Sequence, residues 1–313
     1  MCGSASIVKS IYGFPVEFVE NLQTLSNGNL LLSTMESPTG LLYTLDPKAA
    51  APQATLVTAF DRRVTALTGL SSLPGRPGEE LYAVSGGLHT SFAFEKGSMA
   101  VHIVSVTDGK VVDSIPVPHT ATMNGMAALP HHPHILLSAD SIDGRILSID
   151  TQKRQAGVLL KHDMLGAGAV NNDTSTYPVP PIGINGLRVR GDYLYFTNSN
   201  QGTFVRVRID EYGRRRGDFE VLARSPDAAH IYDDFTFDQV GNAYIATHSS
   251  SIFKVTPRGV QTLLVGDGSQ YANLLAEPTS ATLALDGKCI YVSTGGDFTS
   301  SPRKGGQILQ IPI

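Results

Sequence analysis

One pattern recurs six times along the chain: an alternating strand, a turn, a more apolar strand, a loop and a third strand. The copies open with "ENLQTLSNGNLLLSTM" at Glu20, "LTGLSSLPGRPGEELYAVSG" at Leu67, "MNGMAALPHHPHILLSAD" at Met123, "INGLRVRGDYLYFTNSNQG" at Ile184, "YDDFTFDQVGNAYIATH" at Tyr232 and "PTSATLALDGKCIYVSTGG" at Pro278. Their second strands begin near Leu30, Leu81, Ile135, Tyr193, Ala243 and Cys289, at spacings of 51, 54, 58, 50 and 46 residues. A fourth apolar segment follows five of the copies: "ATLVTAF", "KVVDSIPV", "KRQAGVLL", "DFEVLA" and "VQTLLV". Units of this length with four strands are the blades of a propeller. The sixth copy lacks a fourth strand, and the N-terminus holds a spare one, "ASIVKSIYG". From Cys289 it is 24 residues to the C-terminus and 30 more to Leu30, one further period of 54. The pattern therefore predicts an all-β, six-bladed β-propeller with four strands per blade, in one domain over 1–313. The N-terminal strand would close blade six and leave no sheet edge open.

Composition narrows the function. The 313 residues carry a net charge of −4, and the one basic cluster, "GRRRG" at 213–217, sits between two strands as a turn. No strong field attracts nucleic acid or an anionic membrane, and no apolar run is long enough to span a bilayer. Thirty-one glycines and 18 prolines punctuate the chain, leaving no room for long 3.6-residue periodicity. Cys2 and Cys289 make no disulfide framework, and Cys289 opens a strand, where a buried structural thiol is expected. The opening "MCGSASIVKSIYGF" lacks the long apolar core of a signal peptide. An intracellular, cytoplasmic protein is the expectation.

The first residues of each innermost strand should face the mouth of the central channel. Glu20, Asn124, Asn185 and Asp233 share that position in blades one, three, four and five. Taken singly, an Asn before Gly is a turn former that caps its own backbone. Four oxygen-bearing side chains in register point instead to a shared site, with the chemistry of a hard or less selective divalent cation such as Ca²⁺, Mg²⁺ or Zn²⁺.

The segments "VENLQTLSNGNLLLST", "MNGMAALP", "GINGLRVRGDYLYFTNSNQG", "DDFTFDQVGNAYIAT" and "PTSATLALDGKCIYVST" together resemble the senescence marker protein, gluconolactonase and luciferin-regenerating-enzyme-like family of six-bladed propellers, and its fungal branch most closely. The resemblance covers most of the chain. It implies that Glu20, Asn185 and Asp233 hold a divalent metal and that Asn124 helps bind substrate. The chain departs from the sugar-lactonase members at three places. Thr122 stands where they have an Arg two residues before the substrate Asn, Asn21-Leu22-Gln23-Thr24 replace a Ser-Pro-Val-Trp run, and Asp234 replaces a Gly after the metal-binding Asp.

Loops at the same face supply Phe14, Phe18, Met35, Phe92, Phe94, Met123, Tyr177, Tyr232, Tyr271 and Phe298. Each alone reads as packing under a loop; as a set they suggest an apolar small-molecule pocket, with His89 among its lining. His89, His119, His230 and His248 lie on the mouth side, whereas "HHPH" at 131–134 falls in a turn on the opposite face. Candidate catalytic residues are Asn124, Asp233, His248, Tyr232 and Arg62, the last entering the mouth between blades one and two. Ion pairing with Asp61 or Glu36 is the plainer reading of Arg62 and Arg63. There is no phosphate-binding Gly-rich loop, Ser elbow or paired Cys, and no organic cofactor is expected.

Three functions follow. The first is an enzyme that cyclises an apolar natural-product intermediate. The resemblance supplies the model for it: some fungal proteins similar to this branch are hetero-Diels–Alderases acting on quinone methides, chemistry that needs shape and water exclusion. The second is a metal-dependent lactonase, in which a cation polarises the carbonyl and activates water. The third is a non-catalytic binding propeller. Thr122 in place of a sugar-gripping Arg favours the first, with a small apolar substrate as partner.

Overall fold

A computed structural model describes residues 8–35, 37–90, 93–120, 122–168, 180–248, 250–266, 274–297 and 301–313. It is a six-bladed β-propeller, each blade a four-stranded antiparallel sheet. Blade one runs from its innermost strand outward as Phe18–Thr24, Leu30–Met35, Leu41–Leu45 and Ala54–Ala59. The innermost strands of blades two to six are Ala66–Leu73, Met123–Leu129, Ile184–Arg190, Ile231–Phe237 and Pro278–Leu283. Blade six is completed from the N-terminus: Lys9–Gly13 pairs antiparallel with Gln307–Pro312. The ring closes as the repeat length requires. No helix among the described residues is long and apolar enough to cross a membrane.

Six apolar clusters, one at each blade interface, make up the core between the blades. Leu31, Leu42, Leu70 and Val84 fill the joint between blades one and two. Phe204, Tyr232, Phe235 and Phe253 fill that between blades four and five. Ile11, Val19, Leu32 and Ile308 fill the closing joint between blades six and one. The second strand of each sheet is thus buried on both faces, which is why it reads as a near-continuous apolar run, "LLLSTM" being buried throughout, while outermost strands such as Gln155–Lys161 stay largely exposed. Cys289 belongs to the closing cluster, with its Sγ 3.3 Å from Gln310 Nε2. One boundary differs from expectation. The second strand of blade three starts at His132, not Ile135, because Pro130–His131 alone make the turn and His132–His134 extend the strand. His132 there stacks on Tyr212 at 4.5 Å.

Every innermost strand carries a register shift near its mouth end: between Val19 and Asn21, Leu67 and Leu70, Met123 and Met126, Ile184 and Leu187, Tyr232 and Phe235, and Pro278 and Ser280. Each bulge puts extra residues opposite its neighbour and re-aims a side chain. The residues at the six equivalent positions are Glu20, Thr68, Asn124, Asn185, Asp233 and Thr279. Two of them serve the ring itself. Thr68 Oγ1 donates to Met123 O of blade three at 2.7 Å, and Thr279 Oγ1 to Val19 O of blade one at 2.7 Å.

Candidate active site

The other four bulge positions present buried oxygen-bearing side chains: Glu20, Asn124, Asn185 and Asp233 are each at most 9% exposed. Burial, and then the Asp233 charge, drive the Glu20 carboxyl well above its ordinary range, against the opposing pull of His248. Asp233 is also raised, by burial above all, although hydrogen bonds from His248 and Asn185 work the other way. The two carboxyls therefore feel one another across the channel. Asn185 Nδ2 donates to Ser199 Oγ at 2.9 Å, whereas its buried Oδ1 has no hydrogen-bond partner. Register, rather than any direct contact, places Asn124 at the same level.

His248, the last residue of the second strand of blade five, joins this set. Its Nε2 lies 2.9 Å from Asp233 Oδ2, and its Nδ1 is hydrogen-bonded to Glu277 Oε2. Burial would lower the imidazole, but the hydrogen bonds and charges of Asp233 and Glu277 prevail and hold it well above its ordinary value. Glu277 is correspondingly lowered: His248 outweighs the burial that would raise it. Glu277 sits at φ +55°, in the left-handed region that a side chain favours little. It immediately precedes Pro278, where the innermost strand of blade six begins.

An apolar cluster adjoins this ionic sector at the mouth ends of blades one and two. Phe18, Met35 and Ala66 form a buried cluster of their own, with Phe94 packed against it. His89 meets Phe94 edge-on at 4.6 Å. Gly295 brings bare backbone under Phe18; a Cβ there would stand 2.5 Å from the ring.

Several expected site residues lie elsewhere. Tyr232 is fully buried between blades four and five, and its hydroxyl donates to Gln261 Oε1 at 2.5 Å. Met123 is fully buried between blades two and three. Phe14 packs against Tyr12 and Tyr43 in the closing joint. Tyr232 and Met123 directly precede a bulged residue, and along a strand neighbouring side chains point opposite ways: next to a channel residue stands a core residue. Arg62 is exposed in the turn between blades one and two, where Arg63 pairs with Asp61 at 3.2 Å. His230 is held by Asp227 at 2.8 Å. Phe92, Tyr177, Tyr271, Phe298 and Glu36 lie outside the described residues. Glu277, Thr68 and Thr279 were not singled out from the sequence, nor was Arg188, which pairs with Asp234 at 2.8 Å.

Among the described residues, no three His, Cys, Asp or Glu side chains converge as metal ligands. A cleft of about 300 Å³ at the opposite end of the propeller is bordered by charged groups such as Arg216 and Asp210, paired at 2.8 Å, and suits an apolar ligand poorly.

No family model matches the chain. Two proteins do, in Sarocladium schorii and in a Phoma species. The first is 26% identical, over 94% of this chain and 79% of that protein. The second is 24% identical, over 88% and 83%. Both carry the name "Putative hetero-Diels-Alderase". The chain resembles these two proteins through most of its length. Among solved structures, luciferin-regenerating enzyme superposes with a TM-score of 0.67 at 14% identity, covering 98% of this chain and 95% of that one. The calcium-binding protein regucalcin of Agrobacterium tumefaciens gives 0.63 at 14% identity, covering 99% and 95%. At that identity the structures share the fold, the one the sequence motifs suggested.

Proposed function

We propose that the protein is an enzyme of small-molecule metabolism that cyclises an apolar substrate at the propeller mouth, as in a hetero-Diels–Alder cycloaddition on a quinone-methide-like intermediate. The observation that carries this reading is the sequence likeness to two proteins of that name across nearly the whole chain. The geometry is compatible in chemical terms. Phe18, Met35 and Phe94 offer an apolar wall on which a flat, greasy reactant can be held near its attack geometry. Beside them, on the same strand as Phe18, burial drives the Glu20 carboxyl upward, and in its protonated form it can donate a hydrogen bond to a carbonyl oxygen. Such a bond draws electron density from the conjugated system and speeds its capture by an alkene. His248, held between Asp233 and Glu277, balances the acidic sector.

A metal-dependent lactonase is the second reading, favoured by one observation: the unpartnered Asn185 Oδ1 beside two carboxyls that repel one another. This all-oxygen set suits Ca²⁺ or Mg²⁺ better than Zn²⁺. Glu20, Asn185 and Asp233 would hold the ion, with Asn124 turned to substrate. When bound, the ion would polarise a carbonyl.

Chelation separates the two. The cyclase reading expects cycloadduct formation to survive chelator and to fall with Phe94→Ala or Met35→Ala. Turnover of simple aldonolactones that stops completely with chelator would overturn it.

A further inference from the structure

We infer that Asp234, tied to Arg188 of the neighbouring blade and to Asn21 and Ser280 of blades one and six, forms a latch that seals the floor of the mouth site and keeps water from reaching the reacting electrophile from below. The inference rests on the reading that the site handles such an electrophile; the seal itself rests on geometry alone.

Asp234 stands one residue deeper than Asp233. Its Oδ2 is 2.8 Å from Arg188 Nη2 of blade four, 3.1 Å from Asn21 Nδ2 of blade one and 3.0 Å from Ser280 Oγ of blade six. Its Oδ1 accepts the Phe235 amide at 2.8 Å. One carboxylate thus gathers groups from four blades at the axis. Ser280 Oγ also lies 3.1 Å from Asn21 Oδ1, which ties blades one and six directly. At the equivalent position blades two, three and four have Gly69, Gly125 and Gly186. A Cβ at Gly186 would stand 2.4 Å from Asp234 Oδ1. The glycine there makes room for the carboxylate. Arg188 comes from two residues further along its strand and lies over the Phe235 ring at 5.6 Å.

Exposure decides between a sealed and an open channel. A carboxylate on the wall of a water-filled pore would be wet, yet the Asp234 side chain is 2% exposed while Arg188 keeps 18%. The groups that Asp234 gathers therefore exclude water from it, as a closed floor requires. A quinone-methide-like electrophile adds water readily, the oxygen bonding to its exocyclic carbon and the proton going to its carbonyl oxygen. A mouth with a dry floor removes one route for that side reaction.

The test uses the full chain. Asp234→Gly with Arg188→Met removes both charges together, which avoids an unpaired buried ion; Asp234→Asn, near-isosteric, is the second variant. In ligand-free protein, hydrogen exchange is followed at the Gly69 and Gly186 amides, which donate to Ser85 Oγ and Thr197 Oγ1 at the level of the latch. Exchange there should quicken by about tenfold in the double variant, with outer-strand amides unchanged. With the electrophile supplied in isotopically labelled water, the ratio of water adduct to cycloadduct should rise several-fold. Wild-type exchange and an unchanged product ratio in either folded variant would overturn the latch. Wild-type protein that forms no cycloadduct would overturn the cyclase reading instead, and exchange would still decide the seal.

Discussion

Acid should weaken the joint between blades one and two through a single histidine. His102 lies on the third strand of blade two, 7% exposed, edge-on to Phe60 at 5.1 Å and with Nδ1 2.8 Å from Ser114 Oγ. Its Nε2 is buried with no hydrogen-bond partner. Burial pushes the imidazole down to about 4 from 6.5. The folded state thus prefers the neutral ring, and the unfolded chain binds the proton more readily. Stability from this residue is full above pH 6.5, falls as pH drops, and levels off below about pH 4. A shift of about 2.5 units at ~1.4 kcal/mol each makes the loss about 3 kcal/mol. His102→Gln keeps a partner for Ser114 but does not titrate. Urea midpoints of both proteins, measured from about pH 8 to about pH 4, should show wild type losing about 3 kcal/mol more than the variant. A difference that stays flat to within about 0.5 kcal/mol would refute the assignment of the buried neutral ring.

Removing residues 1–13 strips the outermost strand from blade six and bares the edge of Gln307–Pro312; light scattering should then find aggregates, and a stable monomer would contradict the closure. Thr279→Val loses the bond to Val19 O and should cost about 1 kcal/mol, read as a melting point lower by roughly 2 °C. Glu277→Gln weakens the hold on His248 Nδ1 and should lower kcat on the order of tenfold with KM nearly unchanged. A change confined to KM would count against a positioning role.

The blades were readable because the second strand of each sheet is buried on both faces, so apolar strands recur at a near-constant period and even the displaced N-terminal strand shows as the missing member. The mouth was half readable. Asn124, Asn185, Glu20 and Asp233 share a repeat position, which a sequence displays. The bulge that turns them toward the axis is a mismatch between two strands, which neither strand displays alone. Hence Tyr232 and Met123 looked like pocket residues although they face the core. Glu277 was hidden for a different reason: its partner His248 is 29 residues away on another blade. The doubled Asp233-Asp234 is visible as a departure, but nothing local tells that one carboxyl meets His248 and the next gathers groups from the neighbouring blades.

The six bulge positions also divide by what their side chains hold. The side chains of Glu20, Asn124, Asn185 and Asp233 belong to none of the apolar clusters that join the blades. Thr68 and Thr279, which stitch blade to blade, are not free in that way. The ring resembles a word of six letters, with two committed to grammar and four that the proposed function would give to meaning. On the proposed function, rewriting Glu20 or Asn124 should change what the mouth recognises while the apolar joints of the propeller stay intact, whereas Asp233 and Asn185 also hold His248 and Ser199 in place, so new chemistry is most readily taught to blades one and three.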